Sequence, residues 1–407
     1  SVDGQGKLSD RHRSQTEAYT MFERWLPKLA RDPAYNKNLT LHERNCHPEV
    51  KVDVRWDTSF HDRPRVMAFP FNEWGSGEYR VRGPLRALGN AGLLHYALMP
   101  THNELRLPSI CELERAQPDI ILFHNAVHDA HLRHLSIYKR FSSAFRIFGE
   151  DDLLTDLPEK NPFSKTVYKD IKKRLRRALD HCDRLIVSTE PLAAEFGDMI
   201  DEIVVVPNRL EGSRWLGLNP LKRRGPKPRI GWAGAQQHQG DLEILIEVVK
   251  QTHTEADWVF MGMCPEEIQP LCAEYHQGVS IDRYPAKLAS LNLDLAVAPL
   301  EQNRFNEAKS NLRLLEYGIL GWPVICSDVL PFQDAPVCRV ANSVSAWVEA
   351  IRERIHDLDE AAWEGEQLRQ WVREGWVLED HLDQWLEALV PGWLHSVFFG
   401  LKATSNS

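Results

Sequence analysis

The chain lacks the marks of several protein classes. It has no apolar run near the roughly 20 residues that a membrane-spanning helix needs, and no charged-then-apolar signal pattern at its N-terminus. It also lacks a positive balance: 49 Lys and Arg stand against 58 Asp and Glu, a net charge of -9. That charge argues against a nucleic-acid binder that relies on bulk attraction to phosphate. We therefore expect a soluble or peripheral protein that does not bind nucleic acid.

Cysteines are few and form no recognisable motif. The seven cysteines include no CxxC pair, and the closest two are Cys264 and Cys272. This spacing suggests neither a disulfide framework nor a zinc site, and it fits a reducing cytoplasm. Position 1 is Ser rather than Met, so we expect a chain trimmed or excised from a longer polypeptide.

What the sequence does contain is an alternation of strands and helices in two series. A length of 407 residues fits two domains, at roughly 100 to 200 residues each. Strands that are apolar throughout and alternate with helices indicate parallel sheets covered on both faces. The sequence therefore predicts an α/β protein with two doubly wound, Rossmann-like halves facing a central cleft. The predicted parts are an N-terminal extension packed on the first half (1–63), the first half (64–216), a linker rich in Pro, Gly and cations (217–229), the second half (230–344), and helices that pack back across both halves (345–407).

The segment FNEAKSNLRLLEYGILGWPVICSD, residues 305–328, joins a cationic loop to a helix and a strand. Lys309 and Glu316 are seven residues apart, so on one helix they share a face and lie roughly 10 Å apart along the axis. A helix start at Ser310 and Asn311 offers free backbone N–H groups, and Lys309 adds a full charge, which together suit a phosphate. Glu316 is then placed to accept hydrogen bonds from ribose hydroxyls. The alternative is that Lys309 and Glu316 are ordinary solvated residues of a surface helix.

This segment resembles the GT-B glycosyltransferases, in particular the family 4-like enzymes of bacterial O-antigen and surface-polysaccharide assembly. The similarity runs from about residue 30 to residue 335. In that family a pair of glutamates precedes a Gly-x-Pro-Val strand entry, and Glu316 with YGILGWPV matches the second glutamate. The first falls on Ala308. Related polysaccharide enzymes read Phe-Asn-x-x-Lys-Ser there, as FNEAKS does, so the resemblance gives part of that role to Lys309 and Ser310.

A glycine-rich stretch of the first half fits the same resemblance. NEWGSGEYRVRGPL occupies the place of the family's loop that approaches the donor phosphates and sugar. Gly75 and Gly77 allow close backbone approach, and Arg80 or Arg82 can pair with phosphate. The alternative is a plain turn followed by a solvated helix start.

Two further stretches carry histidines. GWAGAQQHQGDL looks like the first strand and loop of the nucleotide-binding half, where the family's Arg and Lys fall on Ala235 and Gly240, with His238 nearby. PDIILFHNAVHD matches the family's strand-end histidine near the transferred sugar with His124, and His128 is a less favoured substitute. A lone histidine is otherwise more often structural.

Each of two charged stretches allows two interpretations. GEDDLL, residues 149–154, could hold Mg²⁺ together with a diphosphate. Because similar enzymes carry an Asp-Asp-Leu stretch here without needing metal, we favour an acceptor-side or structural role. KKRLRR, residues 172–177, is either a solvated helix face or a patch that docks on anionic lipid.

The resemblance implies a metal-independent enzyme that moves a sugar from a nucleotide-sugar donor to a glycan or lipid-linked acceptor, with retention of configuration. It implies surface-polysaccharide assembly in the bacterial cytoplasm, with peripheral contact to the inner membrane. The acceptor enters from the first half and the donor sits mainly on the second. The implied catalytic residues are His124 and Lys309.

Two rival hypotheses remain open. One is a degenerate, non-catalytic sugar-nucleotide-binding module of a larger assembly protein, which Ala308, Ala235 and Gly240 permit. The other is a different GT-B chemistry, a sugar-nucleotide epimerase or a phosphorylase, for which we find neither an acid/base carboxylate set nor a cofactor-lysine signature.

Overall fold

The computed structural model describes residues 3–41, 46–49, 54, 56–99, 107–221 and 225–400. Within these residues the chain alternates between strands and helices. The strands of the first half are β1 (Arg65–Phe69), β2 (His95–Leu98), β3 (Ile120–His124), β4 (Phe145–Glu150), β5 (Arg184–Val187) and β6 (Ile203–Val205). Those of the second half are β7 (Arg229–Ala233), β8 (Asp257–Met261), β9 (Glu274–His276), β10 (Leu295–Ala298), β11 (Val324–Ser327) and β12 (Cys338–Val340).

Helices cover both faces of the two sheets. The helices up to the end of the first half are α1 (Asp3–Ala30), α2 (Gly75–Gly77), α3 (Gly83–Asn90), α4 (Ile110–Ala116), α5 (Asp129–Phe141), α6 (Ile171–Leu179), α7 (Glu190–Phe196) and α8 (Gly212–Trp215). The remaining helices are α9 (Gln239–Thr252), α10 (Tyr284–Ala289), α11 (Arg304–Glu307), α12 (Leu312–Ile319), α13 (Val344–His356), α14 (Leu358–Gly375), α15 (Leu382–Leu389) and α16 (Gly392–Phe399). A π-helical turn, Glu78–Arg82, joins α2 to α3.

Each half of the described chain builds one six-stranded sheet in which every neighbouring pair is parallel. The first sheet has the order β2-β1-β3-β4-β5-β6, and the second has the order β12-β11-β10-β7-β8-β9. The predicted fold class, α/β with two doubly wound halves, is confirmed.

The strand residues alternate between two buried layers, because successive side chains point to opposite faces of a sheet. In β1, Val66 and Ala68 join one apolar cluster, whereas Met67 and Phe69 join the other. Both faces of the sheet are therefore covered by apolar side chains and shielded from water, which explains why these strands are apolar throughout in the sequence.

The sheet orders fix where a ligand can bind. In an open parallel sheet, ligands bind outside the carboxyl ends of the strands, at the point where the strand order reverses. That point lies between β1 and β3 in the first sheet and between β7 and β10 in the second. His124 is the last residue of β3, and the segments that follow β1, β7 and β10 contain the glycine loop, His238 and Lys309.

The C-terminal helices contact both halves. α14 packs on α12, where Leu368 lies against Gly318. A Cβ at position 318 would stand only 2.7 Å from Leu368 Cγ, so the two helices approach closely here. α15 then buries Trp385 in the apolar cluster of the first sheet, together with Val66. At the other end of the chain, α1 packs against α4. Within the described residues, no helix combines the length and the apolar character needed to span a membrane.

Candidate functional site

The two ligand-binding ends of the sheets meet across a cleft. Asn208 Nδ2 of the first half donates to Ser310 Oγ at 2.9 Å, and Thr189 Oγ1 donates to the carbonyl oxygen of Ala308 at 2.8 Å. Both partners in the second half belong to the segment that connects β10 to α12. This segment is therefore held from the opposite half, and side chains of both halves share one site.

The glycine loop after β1 is fixed by Asn72. Asn72 Oδ1 accepts from the backbone N–H groups of Trp74 at 2.9 Å and Gly77 at 3.2 Å. A Cβ on Gly77 would stand 2.0 Å from the carbonyl oxygen of Asn72, whereas a Cβ on Gly75 would meet nothing within 4 Å. Gly77 is therefore required by the turn itself, and Gly75 is the glycine with open space beside it.

Both arginines that follow this loop are engaged within the protein. Arg82 donates to Glu78 Oε2 at 3.0 Å and to the carbonyl oxygen of Asn72 at 2.7 Å. Arg80 is buried, donates to the carbonyl oxygen of Val206 at 2.6 Å, and lies over the ring of Trp385 at 4.9 Å. These contacts hold the loop and the cleft wall, so the assignment of either arginine to phosphate remains a prediction.

Arg80 also supports the cross-cleft contact. Its Nη1 donates to Asn208 Oδ1 at 3.0 Å, and Asn208 in turn donates to Ser310. Burial lowers the pKa of Arg80 to about 10, which leaves the guanidinium charged at neutral pH. Arg80 therefore positions Ser310 through Asn208.

His124 ends β3 with both ring nitrogens engaged. Nδ1 accepts a long hydrogen bond of 3.4 Å from the backbone N–H of Phe71, so the proton lies on Nε2, which donates to Asp151 Oδ1 at 3.1 Å. Burial alone would raise the pKa of Asp151, but the hydrogen bond from His124 and the charge of Arg80 lower it overall. His124 is thus tied to the glycine loop and to Asp151, and its predicted catalytic role needs one of these bonds to open.

The acidic stretch after β4 holds carboxylates of different kinds. Glu150 is fully buried, and burial raises the pKa of its carboxyl well above the ordinary value. Burial and then the charge of Asp151 raise the pKa of the half-buried Asp152 to about 7, against the lowering effect of Lys309. No group of three or more His, Cys, Asp or Glu side chains in the described part of the chain is arranged to hold a metal ion.

Lys309 is a buried cation without a hydrogen bond. Its side chain is 16% exposed, and its Nζ has no hydrogen-bond partner among the described residues. The nearest carboxylate oxygen, Asp241 Oδ2, is 3.9 Å away, and the ring of Phe305 lies 4.8 Å below the ammonium. Burial lowers the pKa of Lys309 despite the nearby carboxylates. An incompletely paired buried charge is costly, so this position favours an anionic ligand.

Asp241 organises the groups around Lys309. Its Oδ1 accepts from Asn306 Nδ2 at 2.7 Å and from the backbone N–H of Glu301 at 2.8 Å, and its Oδ2 accepts from His238 Nδ1 at 2.8 Å. Burial, followed by the charge of Lys309, lowers the pKa of His238 to about 3. His238 is therefore neutral, and it orients its neighbours rather than supplying charge to a phosphate.

The second cation of the site is Arg313. Its Nη2 donates to His238 Nε2 at 3.2 Å, its Nη1 has no partner among the described residues, and its guanidinium lies 5.4 Å from the Trp232 ring. Lys309 lies four residues earlier, and the charges of both cations lower the pKa of His238, which lies beside them. Together they form a cationic pair beside the start of α12.

The helix predicted to carry Lys309 begins later than the sequence suggests. Lys309 lies in the turn after α11, where its N–H donates to the carbonyl oxygen of Asn306 at 3.2 Å. Asn311 is the residue that precedes α12, and no side chain in the described part of the chain caps this helix start. The shared helix face expected for Lys309 and Glu316 is therefore wrong. The free N–H groups expected near Asn311 are retained at the helix start.

Glu316 lies inside the site with both oxygens occupied. Oε1 accepts from Tyr79 Oη at 2.8 Å, and Oε2 accepts from Tyr284 Oη at 2.9 Å. Glu316 is only 5% exposed, and burial raises the pKa of its carboxyl even though both tyrosines and Arg313 oppose that change. Its assignment to a ribose remains a prediction.

A pocket of about 230 Å³ lies beside this cluster. Its walls come from residues 158–161 of the first half and from Asp241, Glu301, Phe305 and Asn306 of the second.

The chain matches no known protein-family profile and no curated protein sequence. Solved structures do match. Sucrose-phosphate synthase from Thermosynechococcus elongatus superposes with a TM-score of 0.63 at 13% identity, over 83% of this chain and 100% of that one. The chain has the GT-B fold. HepE from Anabaena in complex with UDP and glucose gives a TM-score of 0.55 at 11% identity, over 79% of this chain and 98% of that one. A glycosyltransferase from Rickettsia africae gives a TM-score of 0.55 at 14% identity, over 80% of this chain and 98% of that one.

Several residues of the GT-B cleft were not predicted from sequence. Arg313 could have been found, because it is a second cation in the same segment, four residues after Lys309. Tyr79, Asn208, Asp241 and Tyr284 carry no comparable signal, since their partners lie in another half or another loop.

The basic helix α6, which bears the KKRLRR stretch, has two of its arginines paired: Arg174 with Asp129 and Asp170, and Arg176 with Asp198.

Proposed function

We propose that this protein is a glycosyltransferase that transfers a sugar from a nucleotide-sugar donor bound in the cleft. The observation that carries the proposal is the buried ammonium of Lys309, which has no hydrogen-bond partner among the described residues and lies at the strand-order reversal of the second sheet. The GT-B fold supports it, because the matching structures include transferases and a protein in complex with UDP-glucose.

The donor diphosphate fits the cationic pair. Lys309 and Arg313 each keep one nitrogen without a partner in the described chain, and the uncapped start of α12 adds backbone N–H groups. A diphosphate brings the acceptors that these donors lack. Ser310 and Asn311 border the same helix start, and Glu316 lies further along α12, where a ribose attached to that diphosphate can reach it.

The same groups suit the chemistry of transfer. As the bond between sugar and diphosphate breaks, negative charge grows on the leaving oxygen, and fixed cations stabilise that charge most in the transition state. The acceptor hydroxyl forms the new glycosidic bond and gives its proton to the leaving phosphate, so that the nucleoside diphosphate departs. Retention of anomeric configuration and independence from metal belong to this proposal.

The acceptor belongs on the side of the first half. The glycine loop at residues 70–77 and His124 border the cleft there, and Asp151 holds His124 in place. We propose a glycan or lipid-linked acceptor in bacterial surface-polysaccharide assembly. Peripheral contact with the inner membrane then involves Lys172 and Lys173, which are exposed on α6.

A panel of UDP, GDP, dTDP, ADP and CMP, with and without Mg²⁺, tests the donor site by thermal shift. A ligand that binds only the native state at a hundredfold excess over Kd raises the free energy of unfolding by about 2.7 kcal/mol. UDP is the first candidate, given the matching structures solved with it. We expect a shift with one nucleoside diphosphate that metal does not change. No shift with any of the five contradicts the proposal.

A second candidate, a binding module without catalysis, is favoured by one observation. The positions where related enzymes carry a glutamate, an arginine and a lysine hold Ala308, Ala235 and Gly240. Release of free nucleoside diphosphate from the matching nucleotide-sugar separates the two candidates. Tight binding without release, in the presence of a bacterial glycan extract, supports the binding module.

A further inference from the structure

One contact across the cleft involves the residue that the proposed function assigns to the ribose. The Tyr79 hydroxyl reaches from the first half and donates to Glu316 Oε1 at 2.8 Å. Tyr284, which belongs to the same half as Glu316, donates to Oε2 at 2.9 Å. The carboxylate therefore has one donor that moves with it and one that belongs to the opposite half.

Tyr79 is aimed at Glu316 by a local distortion. It lies in the π-helical turn Glu78–Arg82, and such turns interrupt α-helices most often at functional positions. Glu78 precedes it and is buried among Arg82, Arg86 and Arg214, each of which pairs with its carboxylate. These pairs fix the backbone on either side of Tyr79, so its direction is set before any ligand arrives.

The Tyr79 ring is embedded in the opposite half. It is 9% exposed and belongs to the buried apolar cluster of the second half, together with Leu288 and Leu314. A ring that crosses the cleft in this way can leave only when the two halves separate. Tyr284, by contrast, keeps its place whether the cleft is open or closed.

A ribose has to take the same carboxylate oxygens. A vicinal pair of hydroxyls needs both oxygens of one carboxylate, or one oxygen and a neighbouring group. Since Tyr284 stays with Glu316, the oxygen that becomes free on opening is Oε1.

We propose that the Tyr79 hydroxyl and the donor ribose compete for Glu316, so that breaking the Tyr79–Glu316 hydrogen bond is a step of donor entry. Tyr79 is then a positioning residue that holds the cleft shut and reserves Glu316, and Tyr284 orients Glu316 for the ligand. The inference rests on the proposed function, because it takes Glu316 as the ribose acceptor.

The test compares two variants that remove the same group on opposite sides of Glu316. Tyr79→Phe and Tyr284→Phe each keep the ring and delete one hydroxyl. We expect Tyr79→Phe to bind UDP more tightly and Tyr284→Phe to bind it more weakly, by roughly tenfold to a hundredfold each, the effect of one hydrogen bond to a charged group. Inorganic pyrophosphate, which has no ribose, should bind both variants and the parent equally. Isothermal titration of the full chain measures the affinities of the parent, Tyr79→Phe and Tyr284→Phe for both ligands.

Each outcome decides the inference. Opposite changes for UDP with none for pyrophosphate support it. Unchanged or weaker UDP binding by Tyr79→Phe overturns the inference but leaves the proposed function intact. Equal changes of UDP affinity in both variants have the same consequence, because they indicate a general loosening of the cleft. If neither the parent nor Tyr79→Phe binds UDP or any other nucleoside diphosphate, the proposed function and this inference both fail.

Discussion

Replacing Lys309 by Met should separate ligand binding from stability. The variant keeps the length of the apolar stem over the Phe305 ring and deletes only the ammonium. In the structure that ammonium makes no hydrogen bond to a described residue and lies 3.9 Å from Asp241. Asp241 keeps its hydrogen bonds to Asn306, Glu301 and His238 after the change, so its buried carboxylate still has three hydrogen-bond donors.

The expected magnitudes follow from these contacts. Because Lys309 is a buried charge with incomplete pairing, we expect the free energy of unfolding to rise or to fall by no more than about 1 kcal/mol. One ionic hydrogen bond to a phosphate contributes about 1.5 to 3 kcal/mol, which corresponds to a UDP Kd roughly tenfold to a hundredfold weaker. A stable protein with weakened binding is the predicted combination.

Lys160→Met is the matched control. Lys160 lies at the rim of the same cleft, is 46% exposed, and pairs with Glu243 at 2.6 Å and Glu301 at 3.3 Å. Exposed pairs contribute about 0 to 1 kcal/mol, so both stability and UDP affinity should stay close to the parent's. Thermal denaturation and isothermal titration measure both quantities. Equal UDP affinity in Lys309→Met and the parent would refute the reasoning, and so would a variant that fails to fold.

Three further changes are predicted to have measurable effects. Asp152→Asn should raise Tm at pH 8 but not at pH 4. The pKa of Asp152 in the folded state is about 7, above the ordinary value of about 3.9. The stabilising contribution of the protonated carboxyl is therefore complete below pH 4 and is lost as the pH rises through 7. The expected gain is about 1 kcal/mol for a half-buried group, and an equal change at both pH values contradicts it. Glu316→Gln should weaken UDP roughly tenfold yet leave pyrophosphate unchanged, and titration with both ligands checks this. Gly77→Ala places a Cβ 2.0 Å from the Asn72 carbonyl oxygen and should cost about 1 to 3 kcal/mol of stability, while Gly75→Ala, with open space beside it, should cost far less; similar Tm values for the two would contradict the role of the loop.

The fold could be predicted from the sequence because its signal is local. A strand such as β3, whose five residues are all buried, reads as an apolar run between polar turns, and repetition of that unit with helices leads to parallel sheets. The strand order needs contacts between distant strands, so the sequence predicted two sheets but not where each order reverses. Glu316 and Lys309 could be singled out because both precede one recognisable strand entry, Gly321–Val324.

The rest of the site depends on pairs that no local pattern reveals. Tyr79 and Glu316 are 237 residues apart, and their hydrogen bond exists only because the two halves close on each other. The sequence predicts Arg80 as a phosphate ligand, a role that is still untested, but it does not reveal the hydrogen bonds of the guanidinium to Val206 and Asn208. The position of Lys309 was misjudged for a different reason: α12 starts at Leu312, and a turn closed by the carbonyl oxygen of Asn306 places Lys309 before the helix.

The most direct test of the account is the structure of this chain with UDP bound. We expect the diphosphate within hydrogen-bonding distance of Lys309 Nζ and the start of α12, and the ribose on Glu316 with Tyr79 displaced. A nucleotide bound elsewhere, or bound in the cleft with its diphosphate away from Lys309, would contradict it.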